Sequence, residues 1–405
     1  MRGALAGMAA AVVAVACLRV YLPGMLEKDM NVVLEHDPWP VSTAGAELHD
    51  DLFVADLHSD SLLWDRDLNQ HGDRGHVDFP RLRAGNVALQ VFPAVTKSPS
   101  GQNYESNQSD AFDNITPLVM TQAWPMATWN SLTARALHQA DRLRGFISES
   151  ASPVMLIGSV DDLNELKNRR DAGEPVIGAL LAIEGAHALE GELDNVERLY
   201  AAGYRMIGLQ HFFDNKLGGS LHGSSKQGLT LFGKQVVARL LSLGIAVDLA
   251  HSSEQVVEDV LDLVDAPILV SHTGTHGHCA SARNIRDELM QRIAAHGGVI
   301  GIGFWDDAIC DASPEGIARQ VIAAIDLVGE DAVALGSDYD GTITAHFDVS
   351  ELPALTTALL NAGLTETQIR KVMGENVVSF LQRALASREH EQRNLRDLVA
   401  GTFQR

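Results

Sequence analysis

Basic residues are scarce in this chain. Its 405 residues carry 31 Lys and Arg against 53 Asp and Glu, a formal net charge of −22, with no basic run. That balance excludes nucleic acid as a partner and leaves a folded body with acidic faces. Cysteine is scarcer still: Cys17 lies near the N-terminus, and only Cys279 and Cys310 remain in the body. Such a pair either forms a bridge or stays as two buried thiols, and spacing along the chain does not choose, because a bridge depends on Cα separation. Long apolar runs are missing with one exception. Residues 3–18, after Arg2, form a run of 16, short of the ~20 that a spanning helix needs and suited to the apolar core of an export signal. Ala14-Val15-Ala16 fits a small-residue cleavage site, and Cys17 directly after it is a candidate for lipid attachment, although Ala14 is smaller than the residue usual three places before such a cysteine. With Arg19 snorkelling, residues 3–22 could instead stay as a tilted membrane anchor. Either way the expected location is exported, periplasmic or extracytoplasmic, with membrane attachment only through the N-terminus.

What is present is ample apolar material, 46% of the chain, enough for one large α/β barrel or two ordinary domains. Residues 23–50 read as a tether and a short helix. From residue 53 a short apolar run, a polar residue at its end and a helical stretch recur to the C-terminus. The expected strands are 53–57, 87–92, 176–183, 205–209, 245–249, 268–270, 299–303 and 332–335. Eight nearly continuous apolar runs alternating with helices predict a closed (β/α)8 barrel of the TIM type over residues 51–388. Apolar residues recur at helical spacing between them, as in Leu132, Ala136, Leu137, Ala140 and Leu143, or Val236, Val237, Leu240 and Leu241. Gly203, Gly244, Gly297 and Gly329 fall where helices should end. Two polar excursions, 97–123 and the glycine-rich 214–228, read as loops over the active face or as plain surface loops, and residues 389–405 as a solvated charged tail.

In a parallel barrel the reactive groups ring the carboxyl ends of the strands. Those positions hold His58 and Asp60, Gln90, Glu184, His211, His251, His272, Asp306 and Asp338. One histidine at a strand end is more often a hydrogen-bonded rim residue; a ring of such groups points to a shared site. His58 and Asp60, at i and i+2, project the same way and can hold one ion together. A carboxylate has two oxygens, so Glu184 can bridge that ion to a second one on His251 and His272. Water shared by two such ions has its pKa pulled from 15.7 toward ~7, which supplies hydroxide for hydrolysis. Asp338, in Gly336-Ser337-Asp338-Tyr339-Asp340-Gly341, is the candidate to move the proton to a leaving amine, while Asp340-Gly341 reads as a turn. His187 reads as packing beside Glu184, and His71, His76, His222, His276, His278 and His346 as loop or rim residues.

These residues resemble the zinc membrane dipeptidases, peptidase family M19. The likeness covers roughly residues 50–385 and rests on Asp56-Leu57-His58-Ser59-Asp60, Ile183-Glu184-Gly185, Leu249-Ala250-His251, Val270-Ser271-His272, the Asp338 motif and Cys279-Ala280-Ser281-Ala282-Arg283-Asn284. The resemblance implies two Zn²⁺ with Glu184 bridging, His58 and Asp60 on one ion, His251 and His272 on the other. It further implies Asp338 as acid/base, His211 as a group that holds or polarises the scissile carbonyl, and Arg283 as the grip on a terminal carboxylate, which a guanidinium fork can bind through two parallel hydrogen bonds. Family spacing favours a Cys279–Cys310 disulfide. The implied activity is dipeptide hydrolysis, C-terminal D-residues included, by a hydroxide between the metals; a homodimer is compatible with it. Animal members have Gly where Leu57 stands and carry further cysteines, and Trp305-Asp306-Asp307 has no clear match in the segment that shapes the substrate pocket. The alternatives are hydrolysis of another amide or ester, an N-acyl amino acid, β-lactam or lactone, or a metal-binding relative without turnover.

Overall fold

The computed structural model describes residues 21–400. The signal or anchor expected over residues 1–22, Cys17 included, lies outside the described residues but for its last two; residues 21–30 are helical. Among the described residues no helix is long and apolar enough to cross a membrane.

The barrel is there, with all eight expected runs as its strands. Numbering strands in chain order, β1 is Val32–Val33, β2 Val54–Asp56, β3 Val87–Val95, β4 Val154–Leu156 and β5 Ile177–Glu184; β6 is Tyr204–Gly208, β7 Ala246–Asp248, β8 Leu269–Thr273, β9 Val299–Ile302, β10 Val333–Leu335 and β11 Thr344–Ala345. All pairings are parallel, in the order β3-β2-β10-β9-β8-β7-β6-β5, and β3 pairs back onto β5 from Leu89↔Gly178 to Val95↔Glu184, which closes the ring. The ninth strand, β4, was not expected. It lies beside the first half of β5, Val154↔Ile177, while β6 takes the same edge farther on, from Leu181↔Tyr204.

Strand and helix identity follow from burial and caps. β5, Ile-Gly-Ala-Leu-Leu-Ala-Ile-Glu, is buried at every position, as a strand covered on both faces must be. The helices Leu132–Glu149, Val160–Asp171, Leu231–Leu243, Glu254–Leu263 and Pro314–Val328 each open on a Ser or Thr whose side chain accepts a backbone N–H of the first turn, a cap worth ~1 kcal/mol. Gly244 ends its helix at φ 71°, in the left-handed region, as the glycine position predicted. Inside the barrel, a Cβ on Gly336 or on Gly301 would collide with the Ser271 carbonyl oxygen, so bare glycine lets β9 and β10 close up beneath the site.

Both ends of the chain depart from the sequence expectation. The short helix expected before residue 50 is Thr43–Asp50, but the segment ahead of it, read as a tether, is helical over residues 21–30 and carries β1, paired with β11 through Val32↔Thr344. The tail read as solvated is helical over Arg388–Ala400, with Glu391 paired to the buried Arg205 and Asn394 Nδ2 3.4 Å from the Tyr200 hydroxyl.

Candidate metal centre

Every predicted ligand stands at the carboxyl end of the barrel, and the side chains converge. His58 Nε2 lies 3.4 Å from Asp60 Oδ1, 3.5 Å from Glu184 Oε1 and 3.8 Å from Asp338 Oδ1. Glu184 Oε1 is also 3.1 Å from His251 Nε2 and 3.5 Å from His272 Nε2, and its other oxygen is 3.6 Å from His211 Nε2. Glu184 is therefore the hub, with imidazoles on both sides. Ligand atoms of three triads, His58/Asp60/Glu184, Glu184/His211/His251 and His58/His272/Asp338, each lie within 4.8 Å of one another.

The donor set fits cations. His58 Nε2 and Asp60 Oδ1 are buried with no hydrogen-bond partner, a costly arrangement for polar atoms that only water or an ion would relieve. His251 Nε2 and His272 Nε2 face each other at 2.9 Å. Burial and neighbouring cations hold both imidazoles well below their usual range, hence neutral and able to donate a lone pair. Burial opposes charge on His58 as well, but Glu184 and Asp60 outweigh it and hold its pKa well above the usual value. Burial would raise the Glu184 carboxyl; His211 and His58 prevail and hold it well below the usual range. Burial and the Glu184 charge push Asp60 up to about 7, and burial, then Asp60 and Glu184, push Asp338 well above the carboxylate range against the pull of His58. Nitrogen and carboxylate oxygen ligands of this kind suit Zn²⁺.

A second layer beneath these residues escaped the sequence reading. Asp56 accepts from Ser337 N and Oγ at 2.8 and 2.7 Å and from Gln90 Nε2 at 2.8 Å. Asp248 accepts from Ser271 N and Oγ at 2.9 and 2.6 Å, and Ser271 Oγ lies 2.8 Å from His272 Nδ1. The two halves repeat one device: a carboxylate at a strand's last residue holds a serine that directly precedes a site residue, Asp338 or His272. The signal in the sequence was an Asp two or three residues before each of His58 and His251. Gln90 belongs to this layer. Asp306 does not reach the site; it opens the helix Asp306–Ile309 and lies 3.2 Å from His346.

His251 and Asp338 have φ of 62° each, a left-handed backbone that side-chain-bearing residues rarely adopt. Strain of this kind, of order 1–3 kcal/mol per residue, is typical of functional positions. His211 is fixed through Nδ1, which lies 3.2 Å from the Lys97 carbonyl. Arg283 is buried, with Nη2 donating to the His272 carbonyl at 2.7 Å, Nε unpartnered, and its guanidinium 5.5 Å from the Trp305 ring. Cys279 and Cys310 are joined in a disulfide, which ties the Arg283 segment to the turn after Trp305.

The two polar excursions meet over the site. Asn107 N donates to the His222 carbonyl at 2.8 Å, and Trp305 Nε1 donates to the Tyr104 hydroxyl at 3.0 Å. His222 is thus no rim residue: it is buried, its ring 5.1 Å from that of His251. His76 is likewise buried, Nδ1 accepting from Asp340 N at 2.9 Å. Asp340 does more than turn the chain: fully buried, it accepts from Ser61 Oγ at 2.5 Å and pairs with Arg66. His187 is buried beside Phe213, with neither ring nitrogen partnered.

A profile of the membrane dipeptidases, peptidase family M19, matches residues 43–395. The chain belongs to that family. As an M19 member it is a metal-dependent hydrolase of the dipeptidase kind. An uncharacterised dipeptidase of Schizosaccharomyces pombe is 27% identical to it over 322 residues, 76% of this chain and 72% of the relative. Among solved structures, the M19 metallopeptidase dipeptidase AC is similar with a TM-score of 0.67 and 26% identity over 83% of this chain and 99% of its own. A metallopeptidase from Rhodobacter sphaeroides, solved with a phosphinate mimic of the dipeptide L-Ala-D-Ala, is similar with a TM-score of 0.65 and 25% identity over 82% of this chain and 99% of that one.

Proposed function

We propose that this protein hydrolyses dipeptides, those with a C-terminal D-residue included, using two Zn²⁺ ions that share Glu184. The observation that carries the reading is the convergence of four imidazoles on the two oxygens of one buried carboxylate, with His58 Nε2 and Asp60 Oδ1 left without partners. His58 and Asp60 would hold one ion, His251 and His272 the other. Bound there, the ions would lower the pKa of a shared water and polarise the scissile carbonyl.

The chain supplies the remainder. Arg283 offers two parallel donors to the substrate's terminal carboxylate, which fixes the leaving amine toward the cluster. Asp338, 3.8 Å from His58 Nε2, takes the proton from the attacking water and returns it to that amine. His211, anchored at Lys97, presents Nε2 to the cavity, where a proton on it would donate to the carbonyl oxygen as charge develops. The solved relative with an L-Ala-D-Ala mimic supports tolerance of a D-residue. The apolar run at residues 3–18 and the disulfide support an exported protein.

The test is metal analysis with a substrate panel. Two zincs per chain and turnover of L-Xaa-L-Xaa and L-Xaa-D-Xaa dipeptides are expected. Failure of the zinc-loaded protein to cleave any dipeptide would overturn the reading.

A further inference from the structure

The cavity over the metal centre is about 650 Å³ and reaches well beyond the ligands. At roughly 30 Å³ per water it would hold about twenty, against about eleven non-hydrogen atoms in Ala-Ala. Beyond the ligands the lining is mixed: Leu63, Trp64, Ile115 and Leu118 form an apolar cluster, Leu22 and Leu26 of the 21–30 helix add to the apolar lining, and polar residues such as Asp29, Gln102 and Asn114 stand among them.

Position around the ring places this lobe. In the closed order, β3 lies diametrically across from β8. Ile115 and Leu118 follow β3, Leu63 and Trp64 follow β2, and the 21–30 helix packs beside the segment after β10. Arg283 follows β8. With the leaving amino acid's carboxylate held at Arg283 and the metal ligands in the middle, the lobe receives whatever is joined to the carbonyl side of the scissile bond.

The helix is held as a wall. Its Glu27 is fully buried between Arg66 Nε at 2.5 Å and Arg74 Nε at 2.7 Å, and Arg66 also pairs with Asp340. At the helix's end, Asn31 Oδ1 accepts from Thr342 N at 2.8 Å. Leu22, Leu26 and Met30, at i, i+4 and i+8, lie on one helix face, and all three line the cavity. Met30 is 43% exposed, so the lobe stays open toward solvent at that end.

We propose that the enzyme selects substrates with a large apolar group on the carbonyl side of the scissile amide, and that the 21–30 helix is a specificity-determining wall for that group. This rests on the dipeptidase reading and on Arg283 as the carboxylate grip. Hydrolysis adds water across the C–N bond, leaving an apolar carboxylate in the lobe and a free amino acid at Arg283.

Two substrate series test it on the zinc-loaded full chain: Xaa-Ala with Xaa of increasing length (Gly, Ala, norvaline, norleucine), and N-acyl-Ala from acetyl to octanoyl. The expected result is a rise in kcat/KM of roughly two- to fourfold per added methylene until the lobe is full, and the series that rises identifies a peptide or a fatty acyl group as its source. Leu26→Trp and Leu118→Trp, which fill the lobe from two different elements, should each lower kcat/KM for the longest member at least tenfold more than for Gly-Ala. Retained Gly-Ala turnover shows that each variant is folded. A flat series with Gly-Ala cleaved, or equal losses on all substrates, would overturn the lobe while leaving dipeptide hydrolysis standing. Should no substrate turn over, thermal shifts with butyrate to decanoate decide separately: shifts that grow with length and vanish in Leu26→Trp uphold the lobe, and shifts independent of length overturn it.

Discussion

Asp338 sits at φ 62°, a conformation that Asn tolerates better than other side chains, so Asp338→Asn removes the proton carrier with little added backbone strain. That variant should keep the metal content of the parent by elemental analysis and lose roughly 10²- to 10⁴-fold in kcat. Full activity would rule out the assigned role. Ser271→Ala tests the layer below: Asp248 and His272 lose their common partner, and metal affinity should fall about 10- to 100-fold in a chelator competition. His187 carries a pH signature. Burial, with His211 and Lys97 nearby, lowers its pKa from 6.5 to about 3. As pH falls from 6.5 toward 3, the unfolded chain takes up a proton that the folded one refuses, so stability is lost through that window. His187→Phe should flatten the fall in urea midpoint between pH 7 and pH 4.5. The residues that converge were legible in the sequence because each follows an apolar run, and chain position alone put them on one rim. Ser271 and Ser337 were not, since a serine beside a ligand looks like any other until a strand neighbour supplies its carboxylate.

At the scale of elements, alternation of apolar runs and helices was enough to place eight strands, because burial on both faces leaves little freedom in composition. β4 was missed for the same reason: its three residues are only half-buried and give no comparable run. Pairing between loops has no periodic signal at all, so the contacts that join Asn107 to His222 and Tyr104 to Trp305 emerge only in three dimensions. The Cys279–Cys310 bridge closes a sequence separation of 31 residues, for which loop entropy gives roughly 3–4 kcal/mol of stabilisation. The double Cys→Ala variant should lose about that much in urea unfolding. If the bridge also steadies Arg283, KM for dipeptides should rise more than kcat falls; a change in stability alone would confine the bridge to a structural role.

Across the whole molecule, the barrel and the metal centre depend on different interactions. The strands are held by a continuous apolar core, while the centre gathers buried carboxylates and imidazoles that repel or strand one another without an ion. Chelation should therefore abolish activity and lower Tm while far-UV circular dichroism stays native, since ions that bind only the folded state stabilise it by mass action. Unfolding on chelation would show that the barrel cannot stand without its ions.

Asn31 and Thr342 lie 311 positions apart in sequence, and Val32 pairs with Thr344. The helix that walls the cavity is thus among the first described segments to be synthesised, and its anchors are split, Arg66 and Arg74 close by in sequence and Thr342 far along it. Closure of the cavity is a high-contact-order event, slow for its loop entropy. A nascent chain can seat Glu27 against Arg66 and Arg74, but its substrate pocket has no finished wall until the region around Asp340 arrives. Full substrate selectivity should consequently lag behind recovery of the barrel during refolding, with turnover of the smallest dipeptide returning first.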